Sequence, residues 1–272
     1  MRLLYVGDVV GRSGRKIALE ELPRLRDRFV LDAVIVNGEN AAGGYGITPS
    51  ICQEFYDAGT DVITTGNHVF DQREIIPHLE RDVRLLRPLN MMPGTPGRGV
   101  AELRLPDGRN LLVAQIMGRL FMGQYDDPFR AIEAILARYR LGANASAIVV
   151  DVHAEATSEK MAMGHFLDGR ASLVVGTHTH IPTADAQILS GGTAYISDVG
   201  MTGDYDSVIG MVKDVSLTRF RSHLPGTRNT PALGDATLCA VLVETDDASG
   251  LARRIDPVRI GGRLAPASPD VG

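Results

Sequence analysis

The sequence predicts an α/β fold whose strands stack as a sandwich rather than forming one doubly wound sheet, and three features of the chain carry that reading. Short β-branched or apolar runs alternate with helical patterns, as they do where helices connect strands. Two later runs, Ala194 to Ser197 and Thr237 to Glu244, come without long intervening helices, so part of the sheet is antiparallel or a second sheet packs behind it. Five strand runs end in side chains of the kind that bind metals.

Leu3 to Val6 is the first buried strand, apolar and closed by a Gly-Asp pair. Arg15 to Phe29 follows with a helical pattern, and Ala33 to Val36 returns as a strand. Pro49 to Ala58 opens on a proline, a helix-start signal, and leads to the strand Val62 to Thr65 and the helix Gln72 to Arg81. Arg87 to Gly99 contains Pro88, Pro93, Pro96 and three glycines; it continues neither element and reads as an extended surface loop bordering the site. The strand Leu111 to Ile116, the helix Pro128 to Tyr139, the strand Ala147 to Val152, the helix Ser158 to Leu167 and the strand Leu173 to Val175 complete the alternation. No internal repeat appears. Residues 1–272 are expected to form one domain, with residues 263–272, which are small, polar and proline-bearing, as a mobile tail.

Hydrophobic residues make up 44% of the chain and charged residues 22%, so the composition is that of a folded globular protein. With 28 Lys and Arg against 33 Asp and Glu the formal charge is −5, which gives no general attraction to a phosphate polymer. Duplex nucleic acid is therefore not an expected partner, whereas a small nucleotide is. Cys52 and Cys239 fit neither a disulfide framework nor a zinc ribbon and read as buried thiols in a reducing compartment. The opening MRLLYVGD is too short an apolar run for a signal segment, and no stretch reaches the roughly 20 apolar residues of a membrane helix. A cytoplasmic location is expected.

The strand ends hold the chemistry: Asp8 in GDVVG, Glu39 and Asn40 in NGEN, Asn67 and His68 in GNH, His153 in DVHAE, and His178 and His180 in GTHTH. Each alone has an ordinary reading, as a helix cap, a turn residue or a core histidine. Their recurrence points to a metal centre, because ligands of α/β proteins gather beyond the carboxyl ends of the strands. Alternation on a strand places His178 and His180 on one face with Thr179 opposite. Imidazole, carboxylate and amide oxygen without thiolate suit iron, manganese, zinc or magnesium. One carboxylate can bridge two such ions, and a water held between them becomes hydroxide near neutral pH. The net positive site that results attracts a phosphodiester anion.

GDVVGR, NGENAAGGYGIT, GNHVFDQ, DVHAEATSEK, GTHTHIPTAD and YISDVGMTGDYDSVIG follow one another as the blocks of a known family do. Over essentially its whole length the chain resembles the calcineurin-like metallophosphoesterases, and within them the YmdB-type phosphodiesterases. Val10 and Glu39 stand where the wider superfamily has histidine and aspartate, a departure typical of that subfamily. The resemblance implies a four-layer α-β-β-α sandwich and two divalent ions. It implies that Asp8, Glu39 and His180 bind the first ion with Asn40 nearby, and that Glu39, Asn67, His153 and His178 bind the second, Glu39 bridging. It further implies hydrolysis of small phosphodiesters, 2′,3′-cyclic nucleotides foremost, by in-line attack of a bridging hydroxide while His68 protonates the leaving ribose oxygen. A symmetric homo-oligomer is compatible with the family.

Several residues near these blocks keep two readings. Asp71 either orients His68 or caps a helix, and the stretch Ala41 to Gly46 either approaches a phosphate or simply makes a tight loop. Glu155 is assigned a supporting task, Lys160 is placed within reach of substrate, and His78, His165 and His223 are read as surface or structural. Gly7, Gly11 and Gly14 do not have the G-x-G-x-x-G spacing of a dinucleotide-binding oxidoreductase. A phosphomonoesterase or nucleotidase at the same centre, or a metal-binding regulatory protein with little turnover, are the alternatives that a substrate assay separates.

Overall fold

The structure, a computed structural model, describes residues 1–222 and 228–270, so that His223 lies outside the described residues. In chain order the elements are β1 (Arg2–Val6), α1 (Gly11–Phe29), β2 (Ala33–Asn37), α2 (Pro49–Asp57), β3 (Val62–Thr64), α3 (Ile76–Arg81), β4 (Val100–Arg104), β5 (Asn110–Met117), α4 (Pro128–Leu136) and β6 (Ala147–His153). They continue as α5 (Thr157–Phe166), β7 (Leu173–Thr177), β8 (Gln187–Ile188), β9 (Ala194–Ile196), β10 (Gly203–Asp204), α6 (Lys213–Arg221), β11 (Ala236–Thr245) and β12 (Ala252–Ile260).

The strands form two sheets. One runs β10-β11-β1-β2-β3 with β12 also paired to β11, and the other runs β4-β5-β6-β7-β9-β8. Within the first, β1, β2 and β3 are parallel and β11 lies antiparallel to β1; within the second, β5, β6, β7 and β9 are parallel. Strand alternation then sorts the side chains into three apolar layers. Leu3, Tyr5, Ile35, Val113, Val149 and Val175 meet between the sheets. Leu4, Val36 and Ile63 face outward onto Leu22 and Phe29 of α1 and Phe55 of α2. Ile148, Val150 and Val174 face the other way onto Ile132 of α4 and Met163 of α5. The order helix, sheet, sheet, helix is the four-layer α-β-β-α sandwich expected, and it explains why these strands read as unbroken apolar runs: both of their faces are covered.

β4, α6 and β12 lie outside the segments that sequence patterning marks, as do the two-residue strands β8 and β10. β12 carries Arg253, Arg254, Asp256, Pro257 and Arg259 and pairs along its length with β11, its other side meeting only an isolated bridge from Arg259 to Ala267 among the described residues, and such charge and proline belong on a sheet edge, where period-2 apolar patterning is lost. β4 is likewise an edge strand with Glu102 and Arg104 exposed, and α6 is largely polar. Among the described residues no helix is long and apolar enough to cross a membrane.

Candidate metal centre

Because β1, β2 and β3 of one sheet and β6 and β7 of the other all point their carboxyl ends to the same rim of the sandwich, the segments that follow them meet there. Two groups of ligand-type atoms result, each with its atoms within 4.8 Å of one another: Glu39 with His153 and His178, and Asp8 with Glu39 and His180. Glu39 belongs to both, the position a bridging carboxylate requires. His153 Nε2 lies 3.0 Å from Glu39 Oε2, 3.2 Å from Asn67 Oδ1 and 3.1 Å from His178 Nδ1. His180 Nε2 lies 3.5 Å from Asp8 Oδ2 and 3.2 Å from Asn40 Oδ1.

The outer hydrogen bonds turn these donor atoms inward. His180 Nδ1 faces the Ile209 carbonyl at 2.8 Å, and since a carbonyl only accepts, Nδ1 carries the hydrogen and Nε2 presents a lone pair. The Asn40 amide nitrogen donates to the Gly44 carbonyl at 3.1 Å, which leaves Oδ1 toward His180. His178 Nε2 meets Glu155 Oε2 at 3.3 Å, so Nδ1 is the nitrogen left for the centre. Asp8 accepts from the backbone N–H of His178 at 3.0 Å through Oδ2, while its buried Oδ1 has no hydrogen-bond partner among the described residues.

Acceptors without intervening hydrogens, buried except for the part-buried His178 and Asn67, leave a field that calls for positive charge. Burial pushes the Asp8 carboxyl well above the usual carboxylate range, and Glu39 adds to the rise. Burial would raise Glu39 too, but His153 beside it outweighs that and holds the carboxyl down to about 2. His153, which burial alone would lower, is raised to about 9 chiefly by Glu39, whereas His178 is pushed down to about 3 by burial and by His153. With protein groups alone, a proton on His153 supplies the missing positive charge; a divalent cation does so with more, and the donor set fits one. Gly66 shows how tightly the cradle is drawn, because a Cβ there would overlap Glu39 Oε1 and His153 Nε2. Gly66→Ala is therefore expected to weaken metal binding by about 10-fold or more while leaving the thermal unfolding midpoint within a few degrees, as isothermal titration with manganese and scanning calorimetry would show.

The GTHTH segment reaches the site by a different route from the one alternation suggests. β7 stops at Thr177, and His178 and His180 both sit in a turn beyond it with φ of 92° and 68°. Left-handed backbone at two non-glycine residues costs of order 1–3 kcal/mol each and persists only where surroundings enforce it. Here Asp198 enforces it, accepting the Thr179 N–H at 3.0 Å and the Thr179 hydroxyl at 2.6 Å. Lys160, 2% exposed, completes this clamp with Nζ 2.9 Å from Asp198 Oδ2. Lys160 therefore does not reach toward substrate: the sequence places it near the centre, and the structure commits its charge to a buried carboxylate.

His68 stands apart from the ligand-type atoms. Its backbone N–H donates to Glu39 Oε1 at 3.1 Å, and its ring meets Asp71 Oδ2 through Nδ1 at 2.8 Å. Of the two readings of Asp71, the contact is with His68. Tyr45, from the glycine-rich loop, packs its ring edge-on to His68 at 5.1 Å between centroids and carries the Arg228 guanidinium 5.0 Å from its own centroid. The loop itself is a tight turn, with Gly43, Gly44 and Gly46 at positive φ and the Ala42 N–H donating to the Gly46 carbonyl at 2.8 Å. Together with Glu39, His178 and His180, His68 and Tyr45 line a cavity of about 310 Å³. Tyr45, Ile209 and Asp198, with Asn229 on the cavity wall, are residues that strand-end patterning does not find, since they lie on loops and reach the site only through the fold. His165 is exposed on α5, and His78 lies on α3 beside Asp82.

Two sheets between helix layers, with a carboxylate–imidazole cluster at their common rim, define a metallophosphoesterase-type protein. Comparison with known families specifies it further: the chain belongs to the YmdB-like protein family, whose model matches residues 4–258. It is 44% identical over 260 residues to the 2′,3′-cyclic-nucleotide 2′-phosphodiesterase of Bacillus subtilis (strain 168), covering 96% of this chain and 97% of that one. The crystal structure of a hypothetical protein from Thermus thermophilus is similar with a TM-score of 0.90 and 44% identity, over 97% of this chain and 100% of that one. A phosphatase from Mycoplasma pneumoniae is similar with a TM-score of 0.89 and 29% identity, over 96% and 93% of the two chains.

Proposed function

We propose that the chain is a metal-dependent phosphodiesterase that opens 2′,3′-cyclic nucleotides at the 2′-ester and leaves the nucleoside 3′-monophosphate. The observation that carries the reading is the pair of three-donor groups sharing Glu39 on the wall of a cavity that also holds His68. Family membership and the identity to the Bacillus phosphodiesterase support the substrate class. Two divalent ions drawn from iron, manganese, zinc and magnesium, when bound there, would polarise the phosphate and lower the pKa of water to near neutrality.

The chain's own residues do the rest. Asp8, Glu39, Asn67, His153, His178 and His180 hold the ions, with Asn40 Oδ1 directed at the same point, and their fixed geometry removes the entropy of assembling the reactants. With Nδ1 engaged by Asp71, His68 offers Nε2 to the ribose 2′-oxygen and gives it a proton as the P–O bond breaks, since an alkoxide leaves poorly. Tyr45 limits where the His68 ring can turn and offers an aromatic edge to the nucleoside. A cavity of about 310 Å³ suits one nucleotide rather than a duplex, in keeping with a formal charge of −5. Cys52 and Cys239 remain separate buried thiols, which suits work in the reducing cytoplasm.

The test is incubation with manganese and 2′,3′-cyclic AMP, with product identification by chromatography. Nucleoside 3′-monophosphate is the expected product. Inorganic phosphate from nucleoside monophosphates would instead indicate a monoesterase, and the absence of any metal-dependent turnover would favour a regulatory protein.

A further inference from the structure

We propose that the buried Asp151 is the positioning residue of this centre: through Thr177 it holds His153 in the tautomer that can bind a metal. The inference rests on the metal-site reading above and adds to it a residue that touches neither substrate nor ion.

Asp151 lies on β6 two residues before His153, on the same face of the strand, and is fully buried where the two sheets meet. Its Oδ1 accepts the Thr177 hydroxyl at 2.7 Å, and Thr177 Oγ1 is 2.9 Å from His153 Nδ1. A hydroxyl has a single proton, and a carboxylate can only accept. The Thr177 proton is therefore committed to Asp151, His153 Nδ1 must be the donor to Thr177, and Nε2 is left for Glu39 and the cation. On the other side Oδ2 accepts the Tyr5 hydroxyl at 2.5 Å, the Gln115 amide at 2.7 Å and the Asn37 amide at 3.3 Å.

Each of those partners reaches a segment that carries a ligand. Asn37 Oδ1 accepts the Glu39 N–H at 3.0 Å, Gln115 Oε1 accepts the Thr65 N–H at 3.0 Å two residues before Asn67, and the Tyr5 hydroxyl lies 2.9 Å from Thr64 Oγ1. One carboxylate at the centre of a buried polar cluster thus ties together β1, β2, β5 and β7 from both sheets. A buried charge with four donors is costly to place anywhere else, and its removal would leave those donors unpaired.

Asparagine at this position keeps the shape and inverts the relay. Three donors converge on Oδ2, so the Asn carbonyl oxygen stays there and the NH2 group takes the place of Oδ1. Thr177 Oγ1 then accepts from that NH2, its proton turns to His153 Nδ1, and the ring hydrogen moves to Nε2, where it removes the lone pair that binds metal.

Zinc-loaded full-length protein, with 15N-labelled histidine, tests this by two readouts: the ring-nitrogen correlations of His153 and zinc retention against a competing chelator. Asp151→Asn is expected to retain zinc about 10- to 100-fold less well and to show an Nε2–H ring, Thr177→Val to lose about 10-fold, and Thr177→Ser to match the unaltered chain. Unaltered zinc retention with an Nδ1–H ring in Asp151→Asn, or in Thr177→Val, overturns the proposal. If Asp151→Asn does not fold, the contrast between Thr177→Val and Thr177→Ser decides, equal retention in both counting against the relay. Failure of the unaltered chain to retain zinc would strike the metal-site reading itself, which keeps the two failures apart.

Discussion

Glu39→Gln is expected to lower kcat/KM for 2′,3′-cyclic AMP by at least about 10³-fold, equivalent to about 4 kcal/mol of transition-state stabilisation. Glu39 is the only residue in both three-donor groups, with one oxygen 3.0 Å from His153 and the other accepting the His68 N–H at 3.1 Å. Glutamine is nearly isosteric but neutral, so it removes the one negative charge both ions would share and turns an N–H2 toward one of them. Metal content and activity should fall together. Assaying Glu39→Gln at rising manganese concentrations measures this; full activity at saturating manganese would show that Glu39 does not bridge.

His68→Ala is expected to behave differently, losing about 10²–10⁴-fold in kcat while keeping its metal and its KM close to that of the unaltered chain. The ring is held by Asp71 and Tyr45 beside the ligand cluster, and its removal deletes a proton donor and leaves the ligand-type atoms in place. The leaving group provides the check. An activated diester such as bis-p-nitrophenyl phosphate expels a weakly basic phenolate that needs little protonation, so its hydrolysis should suffer far less than that of the cyclic nucleotide. Equal losses on both substrates would mean that His68 supports the site in some way other than protonating the leaving oxygen.

The parts of the fold legible in the sequence were those where one physical rule acts alone. β1, β2, β3, β6 and β7 are covered on both faces, so each has to be an apolar run, and each then has to end where its backbone emerges at the rim. Asp8, Glu39, Asn67 and His153 follow directly from that position. His178 and His180 were found by the same spacing but for a reason the structure replaces, since they sit in a left-handed turn that Asp198 and Lys160 enforce from other elements. β12 was missed because an edge strand needs no alternation on its exposed side, and its arginines hide the strand pattern. In DVHAE the pairing of acid and histidine at i and i+2 is the one sign of Asp151, and only the fold shows Thr177 between the two side chains.

Anomalous diffraction from crystals of natively purified protein, collected at the manganese, iron and zinc edges, bears most directly on the central claim. Two peaks about 3.5–4 Å apart, one beside Asp8 and His180 and the other beside His153 and His178 with Glu39 between, are expected. A single peak away from Glu39, or none in protein that still hydrolyses 2′,3′-cyclic AMP, would contradict it.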